Sequence, residues 1–136
     1  MKIDLSQNSA VWTGRYWLND RDREGVPFST WMSVTDGKLE GSTLEPNKFV
    51  LINDEELDAD ISGHVADEEI VFLKKYRAFE HEPVYFEGEL VDDGRRVVGQ
   101  WYFGWPNEWT GPFEMTRSAA DAKSSQTNSA NAKPAV

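Results

Sequence analysis

Six glycines interrupt strand-like runs, and all six share a face with large apolar neighbours. They are Gly14, Gly41, Gly63, Gly88, Gly99 and Gly111. Read with a period of two, Gly14 is in phase with Trp12 and Tyr16, and Gly41 with Leu39. Gly63 follows Ile61 and precedes Val65 in the same phase, and Gly88 lies between Phe86 and Leu90. Gly99 falls between Val97 and Trp101, and Gly111 between Trp109 and Phe113. Glycine weakens a strand unless the chain must bend sharply or another group must come close. An inward glycine at mid-strand, in strand after strand, predicts a tightly curved sheet that closes into a barrel.

Eight strands are predicted, at about residues 11–18, 28–35, 38–45, 57–65, 69–76, 83–91, 95–103 and 109–117. Alternation is clearest in LDADISGHV: Leu57, Ala59, Ile61, Gly63 and Val65 face one way, and Asp58, Asp60, Ser62 and His64 the other. No segment keeps a helical period, although residues 46–56 have room for one helical turn. Connections alternate in length. Thr35-Asp36-Gly37, Ala66-Asp67-Glu68 and Asp92-Asp93-Gly94 are short, and Asp-Gly is a tight-hairpin signal. The connections at 19–27, 46–56, 77–82 and 104–108 are longer. In a meander, odd-numbered connections share one end and even-numbered ones the other. The expected fold is therefore all-β: an eight-stranded antiparallel up-and-down meander closed into a barrel, with one sewn end and one elaborated end. Residues 1–117 are expected to form the single domain, with 1–9 as a frayed arm. Residues 118–136, rich in Ser, Ala and Asn, read as a disordered tail.

The cluster WTGRYW in the first strand, GQW in the seventh and the long loops at one end resemble the avidin and streptavidin barrels. More broadly they resemble the lipocalin-type calycins. ISGHV, VFLKKY, YFEGEL, VVGQWYF and GPFEM also resemble a repeated pattern of bacterial barrel proteins that carries no assigned activity. The avidin-like resemblance implies a ligand that enters between the odd-numbered loops onto a floor of tryptophans. The Ser/Tyr/Asn/Asp set that reads biotin in that family does not align residue by residue, so no biotin site is carried over.

Composition narrows the partners. Fourteen Lys and Arg against 24 Asp and Glu give a net charge of −10, which repels phosphate backbones and anionic membranes. Neither nucleic acid nor a membrane is expected as a partner. Cysteine is absent, which removes disulfides and thiolate chemistry. No signal peptide or long apolar run is visible, so a cytoplasmic protein is expected.

The inward face is expected to include Trp12, Tyr16, Phe28, Thr30, Met32, Thr43, Ile61, Phe72, Lys74, Tyr76, Phe86, Val97, Trp101, Phe113 and Met115. Eight strands enclose a space that side chains can fill or that can hold one small ligand. Lys74 is the anomaly. It shares phase with Phe72 and Tyr76, so either it reaches out to water at the rim or it meets a polar head near the mouth. The loop GWPNEW places two tryptophans in one connection, as a lid or as a binding element. A ligand is therefore expected to touch Tyr16, Arg23, Lys74, Tyr76, Trp101 and Trp105. It would be small, and either hydrophobic or acidic.

The inward register offers almost no Asp or Glu, His64 and His81 are far apart, and no nucleophile turn is present. No cofactor or metal is implied, and nothing positively argues for an enzyme. Residues 54–69 hold eight acids and no Lys or Arg, which reads as a solvated face or a docking patch. Outward apolar residues, chiefly Leu73, Tyr85 and Tyr102, predict a homo-oligomer contact. A filled barrel serving as an assembly module is the alternative to a ligand binder.

Overall fold

A computed structural model describes residues 9–19, 21–48, 55–104 and 109–118. Eight strands follow in order: β1 (Ser9–Tyr16), β2 (Val26–Thr35), β3 (Lys38–Pro46), β4 (Glu56–Ala66), β5 (Glu69–Tyr76), β6 (Val84–Val91), β7 (Arg96–Phe103) and β8 (Trp109–Arg117). Each pairs antiparallel with the next. β8 returns to β1, with Tyr16 opposite Phe113 and Trp12 opposite Arg117, and this closes the barrel. No helix occurs among the described residues.

Turn chemistry sews one end. Asp36 and Gly37 both take positive φ, 53° and 80°, which matches the twist of a two-residue hairpin. Asp67 does so in the β4–β5 turn, and Asp92, Asp93 and Gly94 in the β6–β7 turn. These turns also hold the next strand along. Val65 N–H donates to the Gly37 carbonyl, Leu90 N–H to Glu68, Arg117 N–H to Arg95 and Ser118 N–H to Val11. The result is a ring of backbone hydrogen bonds around the even-numbered end.

The other end differs from the sequence expectation in its bounds. β1 stops at Tyr16 and β2 starts at Val26, so the first connection lies earlier than predicted. The Asp22 carboxylate accepts from the backbone N–H of Leu18 and of Gly25, both at 2.9 Å, and Gly25 turns the chain at φ 73°. This local Asx-type closure sets the strand ends.

Each of the six glycines lies opposite inward residues, and close approach explains the choice. A Cβ on Gly63 would sit 2.0 Å from the Val71 carbonyl oxygen and 2.6 Å from Phe72 Cα. Gly99 faces Gly88 directly across β6 and β7, where a Cβ would fall 2.5 Å from the partner Cα. Strands can coil this tightly only where the side chain is missing.

Every residue expected on the inward face is buried. Toward the even end the interior is solid. Phe72 and Phe86 stack at 4.9 Å, and Phe113 meets both edge-on at 6.3 and 5.0 Å. Leu39, Ile70, Val97 and Met115 fill the space around them with no measurable exposure.

Candidate functional site

Toward the odd end the interior changes character. The inward phase of β3 runs Leu39, Gly41, Thr43 and then Glu45. Glu45 and Lys74 come from β3 and β5; on β4 between them Leu57 lies opposite Glu45 and Ile61 opposite Lys74. Lys74 Nζ donates to Glu45 Oε1 at 2.5 Å, and both side chains are enclosed, at 4% and 0% exposure. The other carboxylate oxygen, Oε2, accepts from Tyr16 OH at 2.6 Å and Tyr76 OH at 2.9 Å. Both carboxylate oxygens of Glu45 are thus engaged by inward groups.

Aromatic faces surround the ammonium. Lys74 Nζ lies 4.8 Å from the Tyr16 ring centre, 4.7 Å from that of Tyr76 and 5.6 Å from that of Phe86. Ring quadrupoles favour a cation in that position. Burial opposes it and pushes the Lys74 pKa below the usual lysine value, while the charge and hydrogen bond of Glu45 pull it back up. Tyr16 and Tyr76 are both pushed well above the ordinary phenol value, first by burial and then by the neighbouring Glu45 charge.

Above this cluster lies a cavity of about 550 Å³. Tyr16, Lys74, Tyr76, Phe86 and Trp101 form its floor. Leu18, Phe79, His81, Phe103 and Trp109 are among its walls. Glu45 does not border it, so from the cavity the carboxylate stands behind the lysine.

The floor is held in place by its neighbours. Trp101 Nε1 donates to the Trp17 carbonyl at 2.9 Å, and its ring meets Tyr16 edge-on at 6.1 Å. The β5–β6 connection folds back over Tyr76. Phe79 stacks on that ring at 5.5 Å, and the Tyr76 backbone N–H donates to His81 Nε2 at 2.7 Å. An accepting Nε2 puts the ring proton on Nδ1, which donates to the Glu82 carbonyl.

The structure brings together four of the expected residues, Tyr16, Lys74, Tyr76 and Trp101. Arg23 is exposed in the β1–β2 connection and does not border the cavity. Trp105 lies outside the described residues. Two expectations need correction. Lys74 does not reach out to water at the rim, because Glu45 holds it inside. The inward register does contain an acid, Glu45, whose phase with Leu39, Gly41 and Thr43 was the available signal. Part of the acidic 54–69 stretch is also matched: Arg77 bonds Asp58 at 2.9 Å and Asp60 at 2.7 Å.

A hollow of similar size, about 510 Å³, lies on the outer wall against Thr13, Arg15, Ser29 and Glu114. Its lining mixes these polar groups with Phe28 and Met115 and includes Glu45, so Glu45 borders this hollow and Lys74 the other. Comparison of the chain with protein-family models, with curated proteins and with solved structures found no match.

Proposed function

We propose that this barrel binds one small, largely apolar molecule at the odd-loop end. The observation that carries the reading is an aromatic cavity of about 550 Å³ set directly on a buried polar cluster. Ligand sites take this form: apolar walls with a few fixed polar groups that set orientation. A buried ion pair is seldom better for stability than an apolar filling of the same volume. Its place at the cavity floor, and nowhere in the solid half, favours a functional reason.

The Glu45 carboxylate already occupies Lys74, so a ligand acid would have to compete with it. This favours a neutral ligand with an apolar body and one polar end over a free carboxylic acid. An eight-stranded meander with its longer connections at one end supports the reading, because small ligand-holding barrels share that layout. The wall supports it too. Its inside is mostly apolar apart from the Glu45–Lys74 cluster and two threonines, and its outside carries exposed charges such as Glu40, Asp60, Lys75 and Glu87, unlike the apolar outer band of a lipid-spanning barrel.

Calorimetry with benzyl alcohol and p-cresol, against benzoate and hexanoate, tests the proposal. Saturable heats are expected from the two neutral aromatics, with a change in tryptophan emission as Trp101 is covered. An absence of heat and of emission change with all four probes would overturn it.

A second reading rests on a separate observation. Leu73, Tyr85 and Tyr102 lie in direct cross-strand register on the outside of β5, β6 and β7. Leu73 is 36% exposed and Tyr85 50%. That row suits a self-association surface, and sedimentation is expected to show a dimer that Tyr85→Lys dissolves. A monomer at high micromolar concentration would exclude it.

A further inference from the structure

We propose that Lys74 forms an iminium with an aldehyde ligand in the mouth cavity, with Glu45 as proton shuttle and counter-ion. The inference deepens the ligand-binding reading and rests on it. Its starting point is that Lys74 borders the cavity whereas Glu45 lies behind it and binds Nζ directly. A ligand therefore approaches the nitrogen from the open side, while the base that must take its proton is already in contact on the other.

The chemistry balances without any further reactant. Nζ gives one proton to Glu45 Oε1 and becomes a free amine, a step that burial favours because it removes two enclosed charges. The amine attacks the carbonyl carbon; a C–N bond forms and the carbonyl oxygen takes the proton back from Glu45. Glu45 then removes the second nitrogen proton and delivers it to the hydroxyl. Water leaves, and the nitrogen lone pair closes the C=N bond. The sum is ammonium plus carbonyl compound giving iminium plus water.

Charge makes the site suitable. Before the reaction the cluster holds one cation against one carboxylate; afterwards it holds one iminium against the same carboxylate. Tyr16 and Tyr76 keep their bonds to Glu45 Oε2 throughout, so the counter-ion need not move. The ring faces that favour an ammonium at 4.7–5.6 Å favour an iminium in the same place. The walls beside it are mainly apolar, Phe79, Phe103 and Trp109 among them, and offer few groups to hold a hydrolytic water there. An aromatic or conjugated aldehyde fits the aromatic cavity best.

The test compares cinnamaldehyde with cinnamyl alcohol, which has the same body and no carbonyl. Full-length protein is incubated with each, treated with sodium cyanoborohydride and mapped by peptide mass spectrometry. The aldehyde is expected to leave one cinnamyl group on Lys74, about tenfold over Lys75 or any other lysine, because the cavity holds the reactants together. Excess cinnamyl alcohol should suppress that label by competition. Labelling spread over the surface lysines, with the alcohol still binding by calorimetry, would overturn the iminium and leave the pocket standing. No binding of either compound would overturn the ligand reading itself. Glu45→Gln is a second check in folded protein. It keeps an acceptor for both tyrosines but cannot shuttle the proton, so labelling of Lys74 should slow about tenfold or more. An unchanged rate in that variant would remove Glu45 from the role.

Discussion

The two halves of this barrel share one wall and differ in what they enclose. Toward the even-numbered turns, Phe72, Phe86 and Phe113 interlock with aliphatic residues, and the turns are tied in a ring. Toward the odd-numbered loops, the same strands enclose a carboxylate, an ammonium, two phenols and a cavity. The first half gains stability from area removed from water and from close packing. The second gives up part of that gain, since it buries charge and leaves space. Physical rules that the solid half obeys are broken where a site would be, which is the usual place for such exceptions.

The contrast can be broken by substitution, and the largest effect belongs to the solid half. Gly63→Val should cost about 5 kcal/mol or leave the chain unfolded, because its Cβ would meet backbone atoms at 2.0 and 2.6 Å that cannot rotate away. Urea denaturation measures this, and a variant as stable as the parent would refute the account of wall curvature. In the open half, Lys74→Met alone should cost about 3–5 kcal/mol, since it strands a buried carboxylate. Adding Glu45→Gln removes that charge and keeps an acceptor for Tyr16 and Tyr76. The double variant should return to within about 1 kcal/mol of the parent. Additive losses would mean that the pair is not a coupled unit.

Alkaline pH sharpens the comparison further. Tyrosine in an unfolded chain ionises near pH 10. Tyr16 and Tyr76 stay protonated above that in the folded barrel, so there the unfolded state binds fewer protons and stability falls as pH rises. Thermal melts from pH 9 to 11.5 should show this decline, and Tyr76→Phe should flatten it. An equal slope in that variant would place the decline elsewhere. The smallest effect is expected between the halves. Thr30 and Thr43 face each other across β2 and β3, both buried, and their hydroxyls have no hydrogen-bond partner among the described residues. Thr43→Val should therefore gain about 1 kcal/mol, the ordinary cost of an unmade bond, where a buried partner would produce a loss.

Most of the fold could be read from the sequence because a strand has a period of two. Glycine phase, aromatic phase and Asp-Gly turns all point to one closed meander, and the inward residues follow from that phase. The same rule placed Tyr16, Lys74, Tyr76 and Trp101 on one face. It did not bring Glu45 forward, because an acid at the last turn of a strand reads as a rim residue unless its partner is known. The partner sits two strands away, and pairing across a barrel interior leaves no trace in local spacing. Arg23 shows the converse error. A cation in a loop at the correct end need not turn toward the mouth, and here Asp22 fixes that loop through backbone bonds instead.

If the odd-loop half is a site and the even-loop half scaffold, a bound ligand perturbs the first and leaves the second unchanged. Amide-resolved NMR of the protein titrated with benzyl alcohol tests it most directly. Shifts are expected at Tyr16, Lys74, Tyr76, Phe86, Trp101 and Phe103, including the Trp101 indole N–H, with quiet amides at Asp36, Asp67 and Asp92. Shifts centred on those turns or on the outer row of Leu73, Tyr85 and Tyr102, or no shifts at saturating probe, would contradict it.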